Sequence, residues 1–220
     1  MAYKINRINK NSFRELNHET AFILGYIFTD GDLLYEKSRD KYFLRIYSKY
    51  RVQLENTKKV LRAKAKIQYR EEKNYGGTKQ GAIFWIHIET PEIIQDLRDL
   101  GLTLKKNINL KFPKIAKKYI PAFIRGCWMG SGCVSLYKNT LMSSITIGSL
   151  DFINEMEIHL HNIGLTKRKI YKLENSKRPS YLIKYATKDS DKLQKYIYKN
   201  HTETTMCKRQ KELYKNKYEI

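Results

Sequence analysis

Two stretches of this 220-residue chain, ILGYIFTDG at residues 23–31 and IRGCWMGSG at residues 124–132, decide its fold. Each stretch carries apolar residues at helical spacing around a central glycine, and each ends in a polar residue followed by glycine. A glycine placed just after the last helical residue is a common helix stop. Both stretches are therefore predicted to form helices that end abruptly.

The two stretches belong to an internal repeat. Gly25 and Gly126 are 101 residues apart, and Gly31 and Gly132 have the same separation. After each helix the hydrophobic pattern runs in one order: two strands of period two, a helix, two further strands and a last helix. Because chance similarity would not keep register over such a length, we predict a duplicated αββαββα fold of the α+β class. The expected divisions are residues 1–104, an ordered linker at 105–118, and residues 119–220.

The charge of the chain restricts its partners. Lys and Arg number 43 against 22 Asp and Glu, which leaves a formal net charge of +21 spread along the chain. Such an excess repels itself unless a polyanion neutralises it. A membrane surface would call for a basic amphipathic helix or a lipidation signal, and the sequence shows neither. Nucleic acid is therefore the expected partner.

Targeting and cysteine patterns point to an intracellular protein that is not secreted. The N-terminal residues contain no apolar leader, and no run approaches 18 apolar residues. Cys127, Cys133 and Cys207 are odd in number and form no C-x-x-C pair, which predicts reduced thiols and argues against disulfides or a zinc site.

Both nine-residue stretches resemble the LAGLIDADG motif, the helix that names a family of intron- and intein-associated DNA endonucleases. The match is good at residues 23–31 and partial at residues 124–132. The resemblance implies a single-chain, two-motif protein in which the two motif helices meet at a central interface and two antiparallel β-sheets form a DNA-binding saddle. Gly25 and Gly126 are expected to face each other there, since helices approach closely only where small residues meet.

The resemblance also implies chemistry at the eighth position of each motif. The family places an acid there, and the paired carboxylates can hold Mg²⁺, or Mn²⁺, against the scissile phosphates of DNA. Asp30 occupies this position in the first motif, and the backbone carbonyl of Gly130 is a further candidate ligand. The alternative interpretation of Asp30 is a simple Asp-Gly turn after a helix. Asp32, one residue past the motif, is a weaker candidate that is expected to begin the next strand at the surface.

The second motif departs from the family pattern. Ser131 stands where the second acid is expected, and Met129 stands where a polar residue is common. A neutral hydroxyl is a poor Mg²⁺ ligand and adds no charge to offset the metal. One of the two metal sites is therefore expected to be weakened or lost, and cleavage to be impaired.

The family further places one basic residue from each half near the scissile phosphates. Lys106 fits this context in the first half. Lys208, or its neighbour Arg209, is the nearest equivalent in the second half. For each of them, a solvated surface lysine or arginine is an equally open interpretation.

Strand periodicity assigns one open face of each sheet to DNA, because β-ribbons of this kind fit the major groove. A one-residue error of register would invert each assignment. The residues assigned to DNA are Lys41, Arg45, Tyr47, Lys49, Lys66, Gln68, Arg70, Trp85 and His87 in the first half, and Ser144, Thr146, Lys167, Lys169, Tyr171, Lys184 and Tyr185 in the second.

Three functions are compatible with these patterns. The leading hypothesis is a monomeric, site-specific endonuclease that cleaves a long, asymmetric double-stranded DNA target with Mg²⁺. The second keeps the same fold as a cleavage-defective DNA-binding protein or an RNA-splicing maturase that binds intron RNA, and Ser131 favours it. The third, a basic RNA-binding or ribosome-associated protein, leaves the paired glycine-bearing helices unexplained.

Overall fold

The computed structural model describes residues 8–75, 78–104, 109–138, 140–174 and 178–205. Its first half follows the predicted order, with a short extra hairpin inside the turn-rich segment that precedes the last strand. The elements of this half are α1 (His18–Asp30), β1 (Gly31–Glu36), β2 (Lys41–Ser48), α2 (Arg51–Leu61), β3 (Gln68–Arg70), β4 (Lys73–Tyr75), β5 (Thr78–Gln80), β6 (Ile83–Ile88) and α3 (Pro91–Asp99).

The second half repeats this order, and its described residues form no equivalent of the extra hairpin. Its elements are α4 (Ile120–Ser131), β7 (Gly132–Tyr137), β8 (Thr140–Ile147), α5 (Leu150–Asn162), β9 (Tyr171–Lys172), β10 (Tyr181–Ala186) and α6 (Thr187–Ile197). The predicted α+β class and the duplicated αββαββα order are thus confirmed. None of the described helices is long and apolar enough to cross a membrane.

Each half contributes one four-stranded antiparallel sheet. The strand order is β1-β2-β6-β3 in the first sheet and β7-β8-β10-β9 in the second, so the two topologies are the same. Gly31 pairs with Ile46 in the first hairpin, and Gly132 pairs with Ile145 in the second. Ile46 and Ile145 are therefore equivalent positions, and residues that follow them can be compared pairwise between the halves.

The first motif helix is well defined at its start. The Asn17 side chain accepts hydrogen bonds from the backbone N–H groups of Glu19 and Thr20, both at 2.9 Å, and the Thr20 hydroxyl accepts from the Asn17 N–H at 2.9 Å. This reciprocal arrangement satisfies N–H groups that a helix start leaves without partners, and an N-cap of this kind contributes about 1 kcal/mol. It determines where α1 begins, and thereby which residues lie at its far end.

The two motif helices pack against each other along their length. A Cβ built on Gly25 would overlap with the carbonyl oxygen of Phe123, and a Cβ built on Gly126 would overlap with that of Phe22. The helix backbones are therefore in direct contact at these two glycines, which any side chain would separate.

The core is shared between the halves. Phe28, near the end of α1, packs edge-on against Phe123 of α4 at 5.6 Å between ring centroids, and its ring lies 6.3 Å from that of Phe152 of α5. Phe112, from the linker, lies 5.0 Å from Phe123 and 5.4 Å from Phe152. A residue of the first half and a residue of the linker thus complete the core of the second half.

The described part of the linker, residues 109–118, lies against the second half. Leu110 is buried, and its carbonyl accepts a hydrogen bond from the Ser149 hydroxyl at 2.6 Å. Ser149 also caps α5, since its Oγ accepts from the Phe152 N–H at 3.3 Å. The linker is therefore joined to the helix that follows the second hairpin.

A buried arginine joins the end of α6 to the central helices. Arg125 of α4 is only 1% exposed, and it donates hydrogen bonds to the Ile197 carbonyl at 2.5 Å and to the Thr205 hydroxyl at 3.1 Å. Its guanidinium carbon lies 5.3 Å from the centre of the Phe22 ring on α1. Burial lowers the pKa of Arg125 to about 10. The ring face and the two oxygen acceptors offset part of the cost of burying the charge.

Candidate functional site

The ends of the two motif helices meet at the point where the resemblance predicts the chemistry. A Cβ built on Gly130 would overlap with the Thr29 hydroxyl and would lie 3.1 Å from Asp30 Oδ2. The carboxylate of the first motif therefore reaches the backbone of the second motif. Gly130 leaves the space that this approach requires.

Asp30 lines a cleft of about 320 Å³ between the two halves. The first half contributes Tyr47, Lys49 and Gln53 to the wall, and the second half contributes Met129, Gly130 and Cys133. Asp30 is half-buried, whereas Lys49 is exposed. The residues that line the cleft thus include one acid, Asp30, and one lysine, Lys49.

Ser131 lines a separate and smaller cleft, of about 80 Å³. Its wall includes Phe28 and Thr29 from the first motif, with Thr146 and Gly148 from the end of the second hairpin. Phe28 and Thr29 are equivalent in the repeat to Met129 and Gly130, which line the Asp30 cleft. The two clefts are therefore related by the internal repeat. Among the described residues that line the smaller cleft, none is ionisable.

The register shows how far the two clefts have diverged. Because Ile46 is equivalent to Ile145, Tyr47 corresponds to Thr146 and Lys49 to Gly148. The N-caps of the following helices, Tyr50 and Ser149, keep the same offset. Gln53 therefore corresponds to Phe152, which is fully buried in the core. The second cleft therefore differs from the first at the positions of the acid, the lysine, the tyrosine and the glutamine.

Asp30 gives its cleft a carboxylate that a divalent cation could use, whereas no carboxylate is among the described residues that line the Ser131 cleft. Mg²⁺ binds oxygen ligands and is commonly held by one or two carboxylates, with water and substrate phosphates completing the shell. Asp30 offers such a carboxylate at the mouth of a cleft, next to the backbone of Gly130. No three His, Cys, Asp or Glu side chains come together in the part of the chain that the structure describes. A metal at Asp30 would thus need backbone, water or phosphate oxygens as well.

The first sheet has one buried and one open face. Leu44 and Ile46 on β2, with Ile86 and Ile88 on β6, are buried against the helices. Side chains of the opposite parity lie on the open face, and two cross-strand rows define it: Asp32, Arg45 and His87, and next to it Tyr47, Trp85 and Gln68. Lys41 and Arg70 lie on the same face by register, while Lys49 and Lys66 are exposed just beyond the strands.

Arg45 is held by its neighbours on this open face. Its Nε donates a hydrogen bond to His87 Nε2 at 2.6 Å, and its Nη1 donates to the Tyr47 hydroxyl at 3.3 Å. The guanidinium carbon lies 5.5 Å from the Phe43 ring centre and 5.9 Å from that of Tyr47. Burial, and then the positive charge of Arg45, lower the pKa of His87 below its ordinary value. His87 is therefore neutral near pH 7 and accepts the bond from Arg45.

The open face of the second sheet carries Ser144, Thr146, Lys184 and Tyr171, as the register of β8, β10 and β9 requires. Lys167 and Lys169 are exposed in the segment before β9, and Lys169 Nζ lies 5.7 Å from the centre of the Tyr171 ring. The same register also puts on this face residues that the sequence analysis did not assign to DNA, among them Cys133, Met142 and Leu182. Leu182 could have been assigned from the sequence, because it lies two residues before Lys184 and therefore on the same face of the strand.

The assignment of Tyr185 to the DNA face is wrong. Tyr185 pairs with Ser143 on the buried face and is only 1% exposed. Its pKa is raised, first because burial disfavours the phenolate and then through the charge of Glu157. Lys184 and Tyr185 are consecutive residues of one strand and so point to opposite faces of the sheet. Lys106, Lys208, Arg209 and Cys207 lie outside the described residues.

Comparison with known proteins is informative only at the level of structure, since no family model and no curated protein matches the chain. One similar solved structure is the homing endonuclease I-WcaI bound to its DNA recognition sequence, at 15% identity over 88% of this chain and 92% of that chain, with a TM-score of 0.55. Another is the N-terminal LAGLIDADG domain of DUF199/WhiA, at 16% identity over 92% and 96%, with a TM-score of 0.56. The chain therefore has the LAGLIDADG homing-endonuclease fold, with both motif helices in one polypeptide.

Proposed function

We propose that this protein binds a long, asymmetric duplex DNA site across the open faces of its two sheets and hydrolyses one strand at Asp30. The observation that carries the proposal is the difference between the two clefts. One contains Asp30 and Lys49, whereas Ser131 and Gly148 stand at the equivalent positions of the other. The net charge of +21 and the fold shared with a DNA-bound endonuclease support duplex DNA as the partner.

In this proposal the residues of the Asp30 cleft have separate roles. Asp30, with backbone oxygens near Gly130, would hold Mg²⁺ or Mn²⁺, which when bound stabilises charge on a phosphate and lowers the pKa of a bound water. The Lys49 ammonium offsets negative charge on the phosphate that is attacked. A water oxygen bonds to phosphorus as one P–O ester bond of the backbone breaks; the water gives up a proton to solvent, and the leaving sugar oxygen takes up a proton from solvent. Arg45, Lys41 and the other basic residues of the open faces hold the duplex.

A direct test needs a substrate that the protein itself selects. We would recover bound duplexes from a randomised DNA library in the presence of EDTA, label each strand of the selected duplex separately, and add Mg²⁺. The expected product is a nick at one position in one strand. Cleavage of both strands at equal rates would contradict the proposed difference between the clefts.

A second candidate function is favoured by Ser131: a DNA-binding protein of this fold that cleaves neither strand. The same assay separates the two candidates, because this protein would bind the selected duplex and leave both strands intact at every Mg²⁺ or Mn²⁺ concentration. Binding of structured RNA in preference to duplex DNA, at one salt concentration, would instead indicate a maturase or another RNA-binding protein.

Ser131→Asp is expected to add a metal site without restoring efficient cleavage of the second strand. A carboxylate supplies the missing Mg²⁺ ligand, but Gly148 still stands where the first cleft has Lys49. We therefore expect bound Mn²⁺, counted by electron paramagnetic resonance in the DNA complex, to rise from one to two ions. The second strand should still be cut at least about 100-fold more slowly than the first, since a single positioned catalytic group often contributes that much.

Asn162→Asp provides the matched control for Ser131→Asp. It adds the same charge at the exposed end of α5, away from both clefts, and should leave the Mn²⁺ count at one. A Ser131→Asp protein that cuts both strands at similar rates would show that the acid alone had been missing. The assignment of Lys49 to the reaction would then be wrong.

A further inference from the structure

The guanidinium of Arg45 is positioned more firmly than DNA backbone binding requires. Its Nε and one Nη1 hydrogen are engaged by His87 and Tyr47, and two rings flank the group. The Arg45 side chain makes no other hydrogen bond with the residues that the structure describes. One Nη1 hydrogen and both Nη2 hydrogens remain as donors, and Nη1 and Nη2 together can donate two parallel bonds. They belong to a half-buried side chain on β2, an interior strand of the sheet.

A pair of parallel donors selects one base. In the major groove guanine presents two acceptors, O6 and N7, whereas adenine presents an acceptor beside a donor. A phosphate would also accept two such bonds, but phosphate contacts carry no sequence information and do not need a fixed donor plane. Fixing the side chain before binding also lowers the ordering cost of the contact.

We infer that Arg45 reads one guanine in the major groove, and that His87 and Tyr47 are positioning residues that hold its guanidinium in the reading geometry. The inference rests on the proposed binding of duplex DNA and specifies one base that the protein would recognise there. It also gives His87 a role apart from contact with DNA. The imidazole must be neutral and must carry its proton on Nδ1, because Nε2 accepts the hydrogen bond from Arg45.

The hydrogen bond between Arg45 and His87 makes the preference for guanine depend on pH. When His87 gains a proton, Nε2 becomes a donor and a positive charge faces Arg45, so their hydrogen bond is lost. The pKa of His87 lies below the ordinary 6.5, and the preference for guanine is therefore present at neutral pH and decreases as the pH falls through that lowered pKa. The charged groups around His87 are Arg45 on β2, Asp32 beyond it on β1 and Glu89 just after β6. Lys66 lies two residues before Gln68, which pairs with Trp85 on the same face.

The experiment measures base preference with a randomised duplex library as the probe. The protein and its variants would be equilibrated with the library at pH 7.5, and the bound sequences would be counted. We expect one strongly preferred G·C position for the unaltered chain. Arg45→Lys should lower the preference at that position by about tenfold or more and leave the others intact, because a lysine cannot donate two parallel bonds from a fixed plane. Arg98→Lys, on α3 and beside Tyr42 on the helix-covered face of the sheet, is the matched control.

Two substitutions at His87 distinguish its role as a hydrogen-bond acceptor for Arg45 from a role in packing against the Phe43 ring. His87→Phe keeps a ring beside Phe43 but removes the acceptor, and it should reduce the guanine preference nearly as much as Arg45→Lys. His87→Gln offers an amide oxygen to the Arg45 Nε, so it should retain the preference and remove its dependence on pH between 7.5 and 5. His161→Gln, on the exposed end of α5, is the control for a general effect of losing a histidine.

Each outcome decides the inference. Loss of preference at one G·C position with Arg45→Lys and His87→Phe, and a pH-independent preference with His87→Gln, support it. Duplex binding with unchanged preferences in the Arg45 and His87 variants overturns it and leaves the proposed DNA binding intact. Failure of the unaltered chain to select any duplex overturns both.

Discussion

Asp30→Asn is expected to abolish strand hydrolysis, lowering the nicking rate by at least about 1,000-fold, while duplex affinity changes by less than about threefold. Asparagine has the shape of aspartate but no negative charge, so it cannot balance a divalent cation. The measurement is single-turnover nicking of the selected duplex with Mg²⁺, together with an equilibrium binding assay in EDTA. Because binding is electrostatic and spread over both sheets, the loss of one carboxylate should leave it nearly unchanged.

Substitutions of two other acids provide the control for this prediction and the result that would contradict it. Asp151→Asn, at the exposed first turn of α5, removes one negative charge far from the cleft and should nick at the normal rate. If Asp30→Asn retained hydrolysis and Asp32→Asn lost it, the acid past the motif would be the metal ligand. The assignment of Asp30 would then have to be abandoned in favour of an Asp-Gly turn.

Gly25→Ala is expected to destabilise the protein by at least about 4 kcal/mol, which would unfold much of the chain at 37 °C. Alanine has the higher helix propensity, by about 1 kcal/mol, so propensity alone would predict a gain in stability. The built Cβ, however, overlaps with the backbone carbonyl oxygen of Phe123, which cannot turn aside as a side chain can. The helices would have to separate, and the contacts of their shared core would be lost.

Urea unfolding, followed by circular dichroism, measures the effect of Gly25→Ala. Gly126→Ala should be comparably destabilising, since its Cβ meets the carbonyl oxygen of Phe22 in the same way. Gly81→Ala is the matched control, because a Cβ at Gly81 has nothing within 4 Å, and it should change stability by less than about 1 kcal/mol. A Gly25→Ala protein with the unfolding midpoint of the unaltered chain would contradict the close helix contact.

Most of the architecture could be read from local patterns. The equal spacing of the Gly25–Gly126 and Gly31–Gly132 pairs indicated a duplication. The change in the hydrophobic pattern from helical spacing to alternation located the strands. Such signals are local because helix and strand periodicity are determined by residues a few positions apart. The hairpin formed by β4 and β5 was not foreseen, since its segment is polar and rich in glycine and has no hydrophobic alternation.

The site was only partly predictable. Asp30 and Ser131 were found because they occupy fixed places in a motif, whereas the importance of Lys49 depends on its equivalence with Gly148, which only the pairing of the hairpins establishes. The prediction for Tyr185 is wrong because Lys184 and Tyr185 are consecutive residues of one strand and cannot both lie on its open face. Successive side chains of a strand lie on opposite faces of the sheet, so an error of one residue moves a side chain from the solvent-exposed face to the core.

By itself, the sequence determined that this protein is a basic, duplicated α+β chain with two glycine-bearing motif helices, one of which ends in an acid. Only the tertiary structure decided that Asp30 reaches Gly130, that the two equivalent clefts differ fourfold in volume, and that Arg45 is held by a histidine 42 residues away. The physical reason is that periodicity and helix stops act over a few residues of the chain. Cleft shape and side-chain hydrogen bonds depend instead on the register and packing of segments far apart in sequence.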